Sequence, residues 1–257
     1  MIRFSLLGSG SRGNALLIAT PTSKVLIDSG LSLRATMNRV DALGESLEGL
    51  RAVVVTHEHR DHVNGLGVLT RKLGVPAYMT PDTYAQLPAA VGKIPRVELF
   101  EAGDAIPLDG LVLQSFSVSH DAADPVAFAI HWEHLKLGMA CDLGYASNLV
   151  KTSLKDADAL ILESNYCPDM LERGPYPVQI QQRIRSRQGH LSNPDMSALL
   201  TGLLHNGLQT VVLAHISQEN NTPRLAHDVA SQAVEGHPAQ VFVARQDRPT
   251  RLFEVGT

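Results

Sequence analysis

Cysteine is scarce in this chain of 257 residues: only Cys141 and Cys167 occur, far apart and in no CxxC. That scarcity excludes a disulfide scaffold and a cysteine-built zinc ribbon, and it points to a reducing cytoplasm. Aromatic residues reach only 5%, with no cluster suited to stacking successive bases. No apolar run approaches the ~20 residues needed to span a bilayer, so no membrane partner is expected. The apolar part of the N-terminal "MIRFSLLGSGSRGN" falls short of the roughly 7–15 residues of a secretory h-region and reads as a first strand. Excess positive charge is also lacking. With 22 Lys+Arg against 26 Asp+Glu, the net charge is −4, so an anionic substrate must be held by a local patch or by metal charge.

What the chain does have is the make-up of a globular protein, 44% hydrophobic and 19% charged, with ample material for a core. No repeat, low-complexity tract or linker interrupts it, which predicts a single domain over 1–257. "IRFSLLGSG", "NALLIAT", "KVLIDSG" and "AVVVTH" read as strands, with a helix at "SLRATMNRVDALG" capped by Ser32 and stopping near Gly44. "HVNGLGVLTRKLG" reads as one helix before the short strand "VPAYMT". "GLVLQSFSVSH" and "VAFAIHWEHLKLGMACD" read as antiparallel strands. Asn193-Pro194-Asp195 supplies an N-cap, a first-turn Pro and an acid for a helix closed by Gly207, and Thr222-Pro223 opens another before "AQVFVAR". Strands interleaved with capped helices in both halves predict an α/β fold, a four-layer αββα sandwich.

The ionisable residues fall at strand ends. Asp28 ends "VLID", His57 "VVVTH", His120 "FSVSH", Asp142 "GMACD", Glu163 "LILE" and His215 "VVLAH". One polar residue at a strand end needs no functional explanation. Six of ligand or acid/base type suggest strands that end on one edge and gather them in a cleft.

The densest stretch is "THEHRDH". Its His57-Glu58 resembles the start of an HExxH metalloprotease helix, but the position four after His57 is Asp61. In an extended segment His57 and His59 point the same way, because side chains alternate with period two. Asp61 and His62 begin the next helix and can turn toward a second point. His120, Asp142 and His215 can complete two metal shells, with Asp142 as a bridge. Such nitrogen and carboxylate ligands suit two divalent ions, Zn, Mn or Fe, without choosing among them.

"THEHRDH" looks like the HxHxDH signature of the metallo-β-lactamase-fold hydrolases, and Asp28, His120, Asp142 and His215 follow in the order of that superfamily's other motifs. "LGSGSRGN", "LILESNY", "GHLSN" and "LAHISQENNTP" resemble its YycJ/WalJ-like group, linked to DNA 5′→3′ exonuclease activity and more distantly to ribonuclease Z. The resemblance implies that His57, His59, His120 and Asp142 hold one metal and that Asp61, His62, Asp142 and His215 hold the other. Asp28 would orient the histidine loop from behind. Glu163 and His190 resemble a pair that assists catalysis in ribonuclease Z-like enzymes, an imidazole made more basic by a carboxylate.

Substrate contacts are expected from Ser9, Ser11 and Asn14 of the Gly-rich turn, from Ser192 and Asn193 of "GHLSN", and from Asn220. Arg183, Arg185 and Arg187 of "RIRSRQGH" could meet phosphates, or they could be a solvated helix face. Arg12 stands where this group is expected to carry a small residue. The other five histidines, His131, His134, His205, His227 and His237, have no motif partners. The leading expectation is a dinuclear-metal phosphodiesterase acting on DNA from a 5′ end, with Asp61, His190 and Glu163 in catalysis. Two rivals stand beside it. One is a small-molecule ester, thioester, lactone or cyclic phosphodiester hydrolase of the same fold; the other is a non-catalytic metal-binding regulator.

Overall fold

The computed structural model describes residues 1–256. One sheet is built from β1 (Ile2–Gly8), β2 (Ala15–Ala19), β3 (Lys24–Ile27), β4 (Leu50–Val54), β5 (Ala77–Met79) and β6 (Val97–Leu99). The other comprises β7 (Ala105–Leu108), β8 (Leu111–Ser117), β9 (Val126–Trp132), β10 (Leu135–Ala140), β11 (Ala159–Glu163), β12 (Thr210–Ala214) and β13 (Gln240–Val243). The last strand, β14 (Phe253–Val255), returns to the first sheet and pairs antiparallel with β1, giving seven strands in each. The helices are α1 (Leu33–Asp41), α2 (Arg60–Val63), α3 (Leu66–Leu73), α4 (Pro81–Ala85), α5 (Asn148–Leu154), α6 (Pro168–Arg173), α7 (Val178–Arg185), α8 (Asn193–Leu203) and α9 (Pro223–Ala233). None is long and apolar enough to cross a membrane.

Alternation along the strands divides the apolar residues among three cores. Phe4, Ile18 and Val25 of the first sheet meet Leu113, Phe128, Leu137 and Val212 of the second in the central layer. The opposite faces bury Leu17, Leu26 and Val53 with Val40, Leu66 and Leu69 on one outer side. On the other, Leu160, Leu162 and Leu213 pack with Val150, Met196, Leu200 and Ala226. Each fully buried Leu or Phe contributes about 1.5–3 kcal/mol. The result is the expected αββα sandwich.

Strand direction is what gathers the site. β3 and β4 run parallel in the first sheet, as do β10, β11 and β12 in the second. β8 is antiparallel to β9 and β9 to β10, so β8 points the same way as β10. The C-terminal ends of β3, β4, β8, β10, β11 and β12 therefore emerge at corresponding edges.

Local readings held where side-chain chemistry is explicit. Ser32 accepts from Ala35 N to cap α1, and Thr222 does the same for α9 from Leu225 N. Three readings need correction. The stretch read as one helix from His62 belongs to two, α2 and α3, because the chain breaks at Gly65. Gly65 N donates to Ser29 O, and a Cβ there would lie 1.9 Å from Leu31 O. The cap of α8 is Ser192, not Asn193: its hydroxyl accepts from Asp195 N, which shifts the helix start by one. That helix also ends at Leu203, well before Gly207. "VAFAIHWEHLKLGMACD" is the hairpin β9–β10, turning at Glu133 with φ 55°.

Candidate metal centre

Asp28 directly follows β3, Asp142 comes two residues after β10, and His215 directly follows β12. All three have left-handed backbones, with φ of 63°, 55° and 54°. Such a conformation costs a non-glycine residue of order 1–3 kcal/mol and clusters at functional sites. Here it turns each chain sharply at the sheet edge.

The side chains form overlapping groups. His57, His59 and His120 come together with ring centroids 4.6–5.2 Å apart. His57, His62 and Asp142 form a second group and Asp61, His62 and His215 a third, each with candidate ligand atoms within 4.8 Å of one another. A fourth joins Asp142, Glu163, His190 and His215. Asp142 sits between the first two sets and the last: one oxygen is 3.2 Å from His62 Nε2, and the other is 3.4 Å from His215 Nδ1 and 3.5 Å from His190 Nδ1. All seven residues expected to bind metal are thus brought together.

Surrounding groups set the ring orientations. Asp28 Oδ2 lies 2.7 Å from His62 Nδ1, and its carboxylate also accepts from Thr56 N and Thr56 Oγ1. Asp28 therefore turns His62 Nε2 toward Asp61 and Asp142, a positioning contact of the kind that fixes metal-ligating imidazoles. His120 Nδ1 is 3.0 Å from the Gly189 carbonyl. Asn165 Nδ2 lies 3.1 Å from His215 Nδ1 and donates to the His215 carbonyl at 2.8 Å. Thr56, Asn165 and the Gly189 carbonyl are functional partners that sequence reasoning missed. Thr56 and Asn165 fall inside stretches already singled out for other residues, and a carbonyl leaves no residue-type signal at all.

The donor set fits metal. Nε2 of both His57 and His215 is buried with no hydrogen-bond partner among the described residues, and so is Asp142 Oδ2, which faces His62 Nε2 without bonding to it. Buried polar atoms are rarely left unpaired, so three at the centre of one cluster mark a place for cations. Charge is balanced to match. Burial, with His62 and His120 adding to it, holds His57 well below its ordinary 6.5, in the neutral form that ligates. Burial opposes ionised Asp142, but His215 and His62 outweigh it and hold the carboxyl well below the ordinary range.

Burial also disfavours charge on His62, yet Asp28 and Asp142 overcome it and push the pKa to about 10. His215 is raised for the same reason by Asp142, Asp61 and Glu163. Without metal, the His62 ring is therefore held as imidazolium at neutral pH, and His215 is driven in the same direction. Their contribution to stability is fully present below 6.5 and is lost as pH rises through about 10 for His62. Metal ligation needs the neutral ring, so metal uptake must expel these protons and strengthen as pH rises through that window. Calorimetry in buffers of different ionisation enthalpy is expected to report net proton release; buffer-independent heats would contradict it.

Glu163 lies fully buried, accepting from Leu143 N at 2.9 Å and Leu191 N at 3.2 Å, with its other oxygen 2.7 Å from His190 Nδ1. Burial opposes its charge, but His190 and His215 hold its pKa below the ordinary value. His190 keeps partial access to solvent and lines a cavity of about 230 Å³ with His59, Asp61, Asp142 and His215. Glu58, outside both metal groups, accepts from Ala123 N and braces the loop after His120.

The expected substrate residues divide. Ser11 is exposed and lines the cleft. Ser9 and Asn14 are turned inward: Ser9 Oγ accepts from His215 N, and Asn14 Nδ2 is 3.1 Å from Asp61 Oδ2 and 3.0 Å from His62 Nε2. Ser192, Asn193 and Asn220 are buried. Ser192 caps α8, and Asn193 bonds Ser164 and Asn221. Arg185 donates to Pro168 O at 3.3 Å, and the Arg187 guanidinium stacks 4.2 Å over Tyr145.

Gly30 is the tightest approach behind the site. A Cβ there would lie 1.6 Å from Asp61 O, the atom that accepts from Asn14 N. Gly30→Ala is expected to cost about 3 kcal/mol by overpacking and to lower metal stoichiometry by displacing Asp61. Denaturant unfolding with a metal count checks this; a wild-type midpoint would refute it.

Residues 23–216 match the model of the β-lactamase superfamily domain. The chain is 38% identical to exodeoxyribonuclease YycJ of Bacillus anthracis, over 91% of this chain and 89% of that one. It is 34% identical to exodeoxyribonuclease WalJ of Streptococcus pneumoniae (strain D39), over 98% of both. Among solved structures, the metallo-β-lactamase-fold protein YhfI from Bacillus subtilis shares the fold at TM-score 0.75 and 17% identity, over 97% of this chain and 98% of that one. The chain belongs to the metallo-β-lactamase superfamily, as a hydrolase of that fold with a His/Asp metal site, homologous over nearly its whole length to the YycJ/WalJ exodeoxyribonucleases.

Proposed function

We propose that the chain is a dinuclear-metal phosphodiesterase that shortens DNA from its 5′ end, working as one catalytic unit in the cytoplasm. The observation that carries the reading is the His190–Glu163 pair at 2.7 Å on the rim of the His/Asp cluster. It supplies a proton-handling group that hydrolysis of a simple ester or lactone does not require. The names of the homologues favour DNA as substrate.

His57, His59, His120 and Asp142 would hold one ion and Asp61, His62, Asp142 and His215 the other, with Zn, Mn or Fe all compatible with these donors. When bound, such ions neutralise phosphoryl oxygens and make a water nucleophilic at neutral pH. Asp61 is opposed by burial but held ionised chiefly by His215, which equips it to orient that water and take its proton. His190 faces the cleft with Nδ1 on Glu163, which leaves Nε2 free to protonate the departing oxygen.

Digestion of 5′- and 3′-end-labelled DNA with Mn or Zn, beside a metal count per chain, tests this. Release of label first from the 5′ end is the expected result. Metal-replete protein inert toward every phosphodiester would overturn it, and turnover of thioesters or lactones by the same preparation would favour a small-molecule hydrolase.

A further inference from the structure

The acidic net charge leaves open how a polyanion is held. Two flanks of the cleft carry arginines. On the α7 flank they are engaged within the protein: Arg183 pairs with Asp121 at 2.5 Å, Arg185 bonds a carbonyl and Arg187 stacks on Tyr145. On the flank beyond Ser11, Arg12, Arg245 and Arg248 are exposed, and among the described residues their guanidinium groups make no ion pair or hydrogen bond. Arg251 continues the row, stacked 4.3 Å over Phe242 and 5.0 Å over Phe253.

These arginines follow a connected series of cavities. The metal cleft shares Ser11, His190 and His215 with a neighbouring space of about 270 Å³. That space shares Ile216, Ser217 and Gln218 with one of about 510 Å³, where Arg12 and Arg245 stand on the wall. Arg245 in turn opens onto a smaller depression with Arg248 and Arg251. Beyond the metal cleft, whose own acids are Asp61, Asp121 and Asp142, two acids face the route, Glu219 and Asp247, and Asp247 lies near enough to act on Arg39. Four arginines against two acids leave that outer part of the route cationic.

The route is also braced. Ser9 N donates to Arg245 O at 3.1 Å, Arg12 N donates to Gln246 Oε1 at 3.2 Å, and Arg39 donates to Leu7 O and Gln246 O. Because Ser9 Oγ accepts from His215 N, one short loop fixes both the arginine wall and a residue of the metal cluster. Bracing of this kind lowers the ordering cost of binding.

We infer that single-stranded DNA runs from the metal cluster past Ile184 and along this flank, its phosphates held by Arg12, Arg245 and Arg248 and not by Arg185 and Arg187. The inference rests on the phosphodiesterase reading for its substrate, but its own observable is binding. Fluorescence anisotropy of the metal-loaded protein with a short phosphorothioate DNA strand carrying a 3′ fluorophore measures it directly. The double reversal Arg12→Glu/Arg245→Glu is expected to raise the dissociation constant by roughly tenfold or more. The plot of log affinity against log salt should become shallower by about 1.4, or about 0.7 for each of two single-strand phosphate contacts. In turnover, the ratio of kcat/KM for oligonucleotide to that for bis(p-nitrophenyl) phosphate should fall by a similar factor.

Unchanged affinity and salt slope would overturn the inference. So would a larger loss from the matched Arg185→Glu/Arg187→Glu reversal, which would assign the phosphates to that pair. If the wild type binds the strand in an arginine-dependent way but cleaves no phosphodiester, the route stands and the proposed function fails. If it cleaves DNA while the reversals change nothing, the function stands and the route fails.

Discussion

Asp142→Ala is expected to lose metal from both positions and to lower hydrolysis by roughly 10⁴-fold, the scale of deleting one member of a catalytic unit. The reason is position. Asp142 is 3% exposed, and its two oxygens face His62, His215, His190 and His120 at distances from 3.2 to 4.0 Å. Among the described residues no other carboxylate lies within 4.0 Å of both His120 and the His62–His215 side. Removing it also leaves His62 and His215 with less compensating charge, so both pKa values should fall and the metal-free fold should weaken by about 3 kcal/mol or more before the rings neutralise. Asp142→Asn separates the effects: it preserves shape and suits the left-handed backbone, yet lacks the charge. It should fold more nearly like the wild type while binding metal poorly. Full metal-dependent turnover in Asp142→Ala would end the dinuclear reading.

His190→Ala should behave in the opposite way, keeping the wild-type metal content while kcat falls by roughly 10²–10⁴, the usual range for a general acid or base. Glu163→Gln should lose a comparable factor through His190, since Glu163 itself is fully buried and does not reach the cleft. The amide oxygen of Glu163→Gln can keep both Leu143 N and Leu191 N, which donate to the same carboxylate oxygen, so its NH2 would face His190 Nδ1 and force that nitrogen to accept, which reverses the tautomer. The double variant should be little worse than either single one, as expected of residues acting as a unit. Strict additivity would separate their roles. Loss of a metal ion in His190→Ala would convert His190 into a ligand, which its place in the fourth group of ligand atoms allows geometrically.

The sequence was most legible where apolar strands stop on a ligating side chain. β3, β4, β8, β10, β11 and β12 each end within three residues of one, and direction alone brings their ends together. Caps with explicit hydroxyls, Ser32 and Thr222, were legible for the same reason: the donor they satisfy lies three residues away. What escaped was long-range. The break at Gly65 comes from the approach of the 29–31 loop, and the pairing of Asn165 with His215 joins positions 50 apart. The Gly-rich turn read as a source of substrate contacts, yet Ser9 and Asn14 spend their polar atoms on His215, Asp61 and His62. None of the residues of α7 is buried, which either reading of its arginines allows.

The left-handed backbones at Asp28, Asp142 and His215 constrain any attempt to change which ion the cluster prefers. At those three positions a bulkier or β-branched donor meets a steric penalty before coordination is considered, and Asn or Gly is the easiest replacement. His59 and His120 carry no such restriction. Altering donor softness at His59 or His120 is therefore one route by which selection or engineering could shift the protein between metals without unsettling its sheet edges.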